Sequence, residues 1–235
     1  MKKQTARILC TFLCVLSLIS LLPVSADAAA SYSTLSSKKV PIEYPATYFS
    51  DVLVAKTTGG KKNNSIYLVP RPETGNGDMG TVKNGSNVVI LAEENDYYFY
   101  MTTSGKLGWA NQKYFTEPTE VEYGYLFGES GLTTDDIESI RTFLSEGDCG
   151  MASKDYYASR AVLVMKKGET KKITIHRKWA GKYTVNFWDD DVSLKWIGNN
   201  ANCKLQIKAK QTGPTTLTFS NSKNDQVFYV KIIVL

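Results

Sequence analysis

Short runs of apolar, aromatic and β-branched residues, each cut off by turn formers, make up the chain from about Tyr48 onward. Val52–Ala55 is followed by the Gly/Lys/Asn loop Thr57–Asn64, and Ile66–Val69 is closed by Pro70 and Pro72. Gly75–Asp78 forms another turn. Gly80–Lys83 and Asn87–Ala92 flank Asn84-Gly85, a dipeptide that suits a two-residue hairpin turn because both central residues must take positive φ. Asn95-Asp96 leads into Tyr97–Thr102, and Ser104-Gly105 turns into Leu107–Ala110. Strands this short, crowded into about 65 residues, predict a small barrel over residues 48–116.

The period changes once. Thr133-Thr134-Asp135-Asp136, ahead of Ile137, Ile140 and Leu144, offers a capping threonine and early carboxylates facing the positive end of a helix dipole. Gly147 stops the pattern, so one short helix is expected in a connector over residues 117–158. From Ala161 strand patterns return: Val162–Met165, Lys172–His176 with Ile173 and Ile175 alternating against Thr174 and His176, Thr184–Trp188, Ser193–Ile197, Leu205–Ala209, Thr215–Ser220 and Val227–Leu235. Seven short strands with turns every 8–12 residues or so predict an Ig-like β-sandwich over residues 159–235. The expected fold is all-β, a small SH3-like barrel plus an Ig-like sandwich joined by a connector with one short helix.

Particular residues carry two resemblances. Gly80–Val88, Tyr97-Tyr98-Phe99-Tyr100, Ser104-Gly105-Lys106-Leu107-Gly108-Trp109-Ala110 and Lys113-Tyr114-Phe115 resemble the bacterial SH3 domains. That family shows a Gly-x-hydrophobic-x-x-Gly hairpin, and a Gly-x-x-Gly-Trp hairpin closing on an aromatic pair. Tyr67–Pro72, which includes Arg71, stands where the family has an Asn-Val-Arg segment and a Gly-Pro turn, and Tyr97 stands where it favours Trp. Both departures fall where such domains often bind ligands. The order of an apolar strand, Lys166-Lys167-Gly168-Glu169-Thr170, an alternating strand, a mid-domain Trp and Thr212–Thr218 resembles the bacterial Ig-like group 2 domains. The resemblances imply binding to peptidoglycan or another wall component, beside a module of adhesion or spacer type.

Pleat alternation supplies the candidate surface. If Tyr98 and Tyr100 fill the barrel core, Tyr97, Phe99 and Met101 share the opposite face. That stripe is either a sugar- or peptide-binding surface, joined by Tyr67 and Arg71, or a face packed on the helix or the sandwich. Trp109 and Tyr114 are expected in the core.

Residues 1–28 have the parts of a secretory signal peptide. Lys2, Lys3 and Arg7 precede the apolar stretch Ile8–Leu22, Pro23 ends it, and an Ala-x-Ala site predicts cleavage after Ala28. An uncleaved anchor is the alternative, although the run is shorter than the roughly 20 residues a span prefers. Ser-rich residues 29–47 read as a flexible lead-in. The expected product is secreted, extracellular or cell-wall associated, with no membrane span left after cleavage.

Charge divides what remains. Residues 29–155 hold 11 Lys+Arg against 17 Asp+Glu, whereas residues 156–235 hold 14 against 5. A basic half suits docking on the acidic half, a wall polyanion such as teichoic acid, or plain solvation of surface lysines. Nucleic acid is not expected as a partner of an exported protein.

Candidate chemistry is sparse. His176 is the only histidine, which excludes zinc sites built on two or three imidazoles and weakens a Cys149–His176 nucleophile pair. Asp135-Asp136 and Asp189-Asp190-Asp191 fall at a helix start and a turn, not across a cleft as paired glycosidase carboxylates would. Cys149 and Cys203, left after signal removal, either form a disulfide or stand as two thiols. No catalytic residue, metal or cofactor is expected. The expected role is non-enzymatic envelope binding. The alternative is a protein–protein interaction or adhesion factor meeting an envelope or host protein.

Overall fold

In chain order the first half gives β1 (Leu53–Lys56), β2 (Ser65–Leu68), β3 (Gly80–Lys83), β4 (Asn87–Glu94), β5 (Tyr97–Thr102), β6 (Leu107–Asn111) and the short β7 (Thr119–Glu120). The structure, a computed structural model, describes residues 41–60, 64–73, 79–147, 149–150, 156–177, 183–187, 190–198, 202–221 and 226–235. The expected signal peptide and the first part of the lead-in lie outside the described residues.

The barrel expected over residues 48–116 does not close. Strands β6-β5-β4-β1-β7 form one antiparallel sheet, and β2 and β3 form a separate hairpin. Val69 and Trp109 link the two by exchanging backbone hydrogen bonds of 2.9 Å. The split originates at Asn84-Gly85, from which β3 and β4 depart into different sheets. Only Gly85 takes positive φ there (79°), the pattern of a type II turn and not of the hairpin turn expected. Asn84 uses its side chain on the neighbouring loop instead. Its Oδ1 accepts from the Gly60 N–H at 3.2 Å, and its Nδ2 donates to Gly60 O at 3.1 Å and to Asn64 Oδ1 at 2.8 Å. The two-residue turn with both φ positive is Asn95-Asp96 (49° and 62°), which sets Glu94 opposite Tyr97 between β4 and β5.

A bulge at Leu91 interrupts β4, since Ile90 pairs with Tyr100 and Ala92 with Phe99. The Leu91 carbonyl accepts from the Phe49 N–H at 2.9 Å, which fastens the incoming chain to the sheet. Residues 41–47 are therefore not the flexible lead-in expected. Ile42 is buried, and the Trp109 indole donates to Glu43 O at 2.7 Å.

The second half contributes α1 (Thr134–Ser145), β8 (Tyr156–Ala158), β9 (Val162–Met165), β10 (Thr170–Arg177), β11 (Thr184–Asn186), β12 (Val192–Ile197), β13 (Asn202–Ala209), β14 (Gly213–Asn221) and β15 (Gln226–Val234). Helix α1 starts as its sequence dictates. Thr133 Oγ1 accepts from the Asp136 N–H at 3.2 Å, and the Asp136 carboxylate accepts from the Thr133 N–H at 2.9 Å, closing a capping box. The strands form two four-stranded sheets, β12-β13-β10-β8 and β11-β14-β15-β9, antiparallel except for the parallel pair β15–β9. Tyr156–Ala158, read from sequence as connector, pairs with β10 as a strand.

Packing joins the halves. One face of the five-stranded sheet is covered by the β2–β3 hairpin, through Ile66, Leu68 and Val82. Its other face is covered by Ile137, Ile140 and Leu144 of α1 and by Val162 and Val164 of β9. The alternate residues of β9, Leu163 and Met165, belong to the sandwich core. One strand thus serves two cores.

Candidate functional site

The aromatic stripe is internal. Phe99 and Met101 are fully buried and Tyr97 is buried, all in the core shared with α1. Phe99 sits at the centre of a ring cluster, with centroids 5.1 Å from Trp109, 6.0 Å from Tyr44 and 6.3 Å from Tyr48. Of the two readings of this stripe, packing holds: Tyr97, Phe99 and Met101 are core residues and form no ligand surface. The physical reason is the lead-in and the helix, whose apolar sides need this face for burial. Tyr100 lies inside on the other side of the sheet, and Tyr98 is half-buried beside it. Trp109 is core, whereas Tyr114 is only partly buried.

Arg71 is spoken for. Its Nε lies 3.3 Å from the Glu43 carboxylate, another tie between the lead-in and the hairpin. Tyr67, on β2, is 39% exposed and is the member of the proposed ligand set that faces solvent.

The cysteines do not form the disulfide considered. Both are buried thiols, in different cores. Cys149 Sγ donates to Phe143 O at 3.2 Å at the end of α1, and Cys203 Sγ donates to Ile175 O at 3.7 Å inside the sandwich. His176 stacks on Tyr157 at the β8–β10 edge, with ring centroids 4.8 Å apart. Asp189 lies outside the described residues, and Asp190 and Asp191 occupy a turn before β12. Among the described residues no group of three His, Cys, Asp or Glu could hold a metal ion. No helix of the described residues is long and apolar enough to cross a membrane.

Described residues line a groove and a cleft. A groove of about 590 Å³ runs between α1 and strands β14 and β15, with Asp135, Glu138 and Glu146 on the helix side and Thr216, Thr218 and Lys231 on the strand side. Burial lowers the pKa of Lys231, while Glu146 and Asp136 act to raise it. With three carboxylates against one lysine, the described lining of this groove is acidic.

The other cleft, about 340 Å³, lies where the two halves meet. Lys106 from the β5–β6 turn, Arg160 from the β8–β9 link and Lys172 from β10 line it, together with Ser159 and apolar Leu68, Met79 and Leu107. No carboxylate is among its described lining residues. Burial lowers the pKa of Arg160, and burial followed by the charge of Arg160 lowers that of Lys106. The seam is tight. A side chain at Gly105 would place its Cβ 2.6 Å from the Val162 carbonyl, and φ there is +82°.

Sequence reasoning missed these three cations as a set. Arg160 and Lys172 contribute to the basic excess of residues 156–235, and Lys172 falls on the outward phase of an alternating strand. Only the packing brings Lys106 to them.

No family model matches the chain, and no curated protein matches it. Among solved structures, the S-layer protein SbsC gives a TM-score of 0.31 at 8% identity, over 79% of this chain and 28% of that chain. The chain therefore spans little more than a quarter of that structure. Domains 4 and 5 of SbsC give 0.30 at 10% identity, over 76% of this chain and 99% of that chain. An endo-fucoidan hydrolase of glycoside hydrolase family 107 gives 0.23 at 11% identity, over 79% and 23%. Likeness at this level carries nothing about function.

Proposed function

We propose that the chain is an exported, non-enzymatic cell-envelope protein that holds an anionic wall component in the cleft between an SH3-like and an Ig-like module. The observation that carries this reading is the cleft itself, where three cations converge with no carboxylate among the described lining residues. A cavity so charged attracts polyanions. Its described lining holds no imidazole or carboxylate to act as a general base, which favours binding over turnover. The signal-peptide pattern of residues 1–28 supports export. Strand order supports the Ig-like assignment: β8-β10-β13-β12 and β11-β14-β15 follow the A-B-E-D and C-F-G arrangement of immunoglobulin domains. For the SH3-like assignment the support is the Gly80–Phe115 motif set, on an open sheet with a hairpin.

Co-sedimentation of the exported protein with purified sacculi that retain their anionic polymers tests the reading. Retention at low salt that falls steeply as ionic strength passes through the screening range is expected. Protein left wholly in the supernatant at low salt would sink it. A second reading, adhesion to a protein partner, is favoured by Tyr123 and Tyr125, which are 85% and 55% exposed on the loop before α1. A complex with an envelope protein that is lost on Tyr123→Ser, with no sacculus retention, would establish that reading instead.

A further inference from the structure

We infer that the seam cleft is a site for a phosphate ester, and that filling it clamps the two modules together. The inference rests on the reading of the cleft as a binding place and adds the class of ligand and the consequence of binding.

The cations come from three segments whose backbones are fixed independently. The Ser159 N–H donates to Thr174 O at 2.8 Å, and Ser159 Oγ accepts from the Thr174 N–H at 3.0 Å, holding the link that carries Arg160. Ala161 O accepts from the Lys231 N–H at 2.9 Å on the other side of that arginine. Lys106 stands on a turn closed by its own N–H to Thr102 Oγ1 at 3.1 Å and by the Thr102 N–H to Lys106 O at 2.9 Å. Lys172 is set in the β10–β13 ladder opposite Gln206. A ligand therefore meets cations on backbones already fixed, and only their side chains are left to order on binding.

Like charges are gathered here without a counter-charge from the described residues. The neighbouring carboxylate in sequence, Glu169, is engaged elsewhere, with Lys171 Nζ at 3.4 Å and the Lys166 N–H at 2.9 Å. Partial burial of Arg160 beside Lys106 is unfavourable until an anion joins them. A tetrahedral phosphate answers all three cations at once: the guanidinium fork takes two oxygens and the ammonium groups act as point charges on the others. Leu68, Met79 and Leu107 make the apolar part of the lining, which suits the organic flank of an ester better than bulk water. The cleft volume lies at the small end of ordinary ligand pockets, enough for a phosphate with a polyol or sugar attached. Because Lys106 belongs to the first module and Arg160 and Lys172 to the second, the bound group bridges the seam.

Thermal unfolding of the exported protein tests this, with inorganic phosphate, glycerol 3-phosphate and sodium chloride compared at one ionic strength. Saturable stabilisation by glycerol 3-phosphate is expected, and weaker stabilisation by inorganic phosphate. K106Q and R160Q should each weaken the apparent affinity on the order of tenfold, the factor carried by one charge-assisted hydrogen bond. K172Q should weaken it several-fold. Should R160Q not fold, K106Q and K172Q, on a partly buried and an exposed side chain, decide. K208Q removes the same charge at an exposed position outside the cleft and should change nothing. Stabilisation no greater than chloride gives, or equal losses in K208Q and K106Q, would overturn the site. Equal affinity for the two phosphates would overturn the ester and leave free phosphate as the ligand. If phosphate binding fails while sacculus retention persists, this inference falls and the envelope reading stands; retention lost with phosphate binding intact is the reverse.

Discussion

The five-stranded sheet and the sandwich are both built from antiparallel strands, yet they bury themselves in different ways. In β14 the buried positions are Thr215, Leu217, Phe219 and Asn221, and the residues between them are only partly buried or exposed. Apart from β9 and the end of β15, which also meet the first half, the sandwich sheets give one face to each other and the other to solvent, so polar residues hold every second place. In β4, Val88 through Ala92 are all buried, and β5 is buried at every position but Tyr98. That sheet is an inner layer, with a hairpin on one side and the lead-in, α1 and β9 on the other. An inner layer offers no face to a ligand. Any binding in this region is left to its edges and turns, and Lys106 stands on one of those.

Phe99 gives the strongest test of the contrast. It is fully buried among three aromatic neighbours, so Phe99→Ala should cost about 3–5 kcal/mol, as large aromatic truncations in cores do. Lys208→Ala, on an outward position of β13, should stay within about 0.5 kcal/mol. Urea unfolding of both variants measures the difference. A Phe99→Ala loss below about 1 kcal/mol would mean that the stripe is open after all.

Next comes the seam between the two regions. Gly105→Ala combines a left-handed φ with a Cβ 2.6 Å from the Val162 carbonyl. Gly85→Ala has a similar φ of +79° with nothing within 4 Å. Conformation alone should cost each about 1–2 kcal/mol, and the backbone clash should take Gly105→Ala to about 2–4 kcal/mol. Equal losses in the two variants would show that the halves do not depend on this contact.

Legibility followed the same division. Sandwich strands could be read because one solvated face enforces alternation: Ile173 and Ile175 point inward and Thr174 lies between them, as the pattern predicts. The helix start could be read because its capping box is local in sequence. The covered face of β5 could not, since its partners are a segment some fifty residues earlier and a helix some forty later. A signal existed in Val88-Val89-Ile90-Leu91-Ala92, a run without alternation, which is what a strand covered on both faces looks like. Asn84-Gly85 misled for a related reason. The asparagine side chain bonds to Gly60 and Asn64, contacts that no dipeptide rule contains. The cleft was illegible altogether, because its cations come from three elements that meet only through packing.

Alkaline pH should loosen the inner layer more than the sandwich. Burial raises the pKa of Tyr100 and of Tyr48 above the ordinary 10.0, with Cys149 adding to the shift of Tyr48. Both hydroxyls are buried, and neither has a hydrogen-bond partner among the described residues. The unfolded chain releases these protons near pH 10 while the folded chain keeps them. Their contribution is thus fully present below pH 10 and is lost as pH rises towards the folded values. Each should add a slope of about 1.4 kcal/mol per pH unit above 10. Unfolding free energies measured between pH 9 and 11 should fall accordingly, and Tyr48→Phe should remove its share of the slope. An unchanged slope in that variant would place the alkaline sensitivity elsewhere.

The smallest effect concerns the element that makes the sheet an inner layer. Helix α1 is short, and Ile137 and Ile140 are completely buried against the sheet. Its N-terminus depends on Thr133, whose hydroxyl accepts from the Asp136 N–H at 3.2 Å and donates to the Asp136 carboxylate at 2.9 Å. Thr133→Ala removes one side of the capping box and should cost about 1 kcal/mol. Thr133→Ser keeps the hydroxyl and should cost nothing measurable, since serine caps at least as well as threonine. The comparison predicts where the loss appears. If α1 covers the sheet as a separable layer, amide exchange in Thr133→Ala should quicken first in residues 134–140 and then in β5, with β13 and β14 unchanged. Faster exchange spread evenly over both regions would show instead that helix, sheet and sandwich open as one cooperative unit, joined through β9.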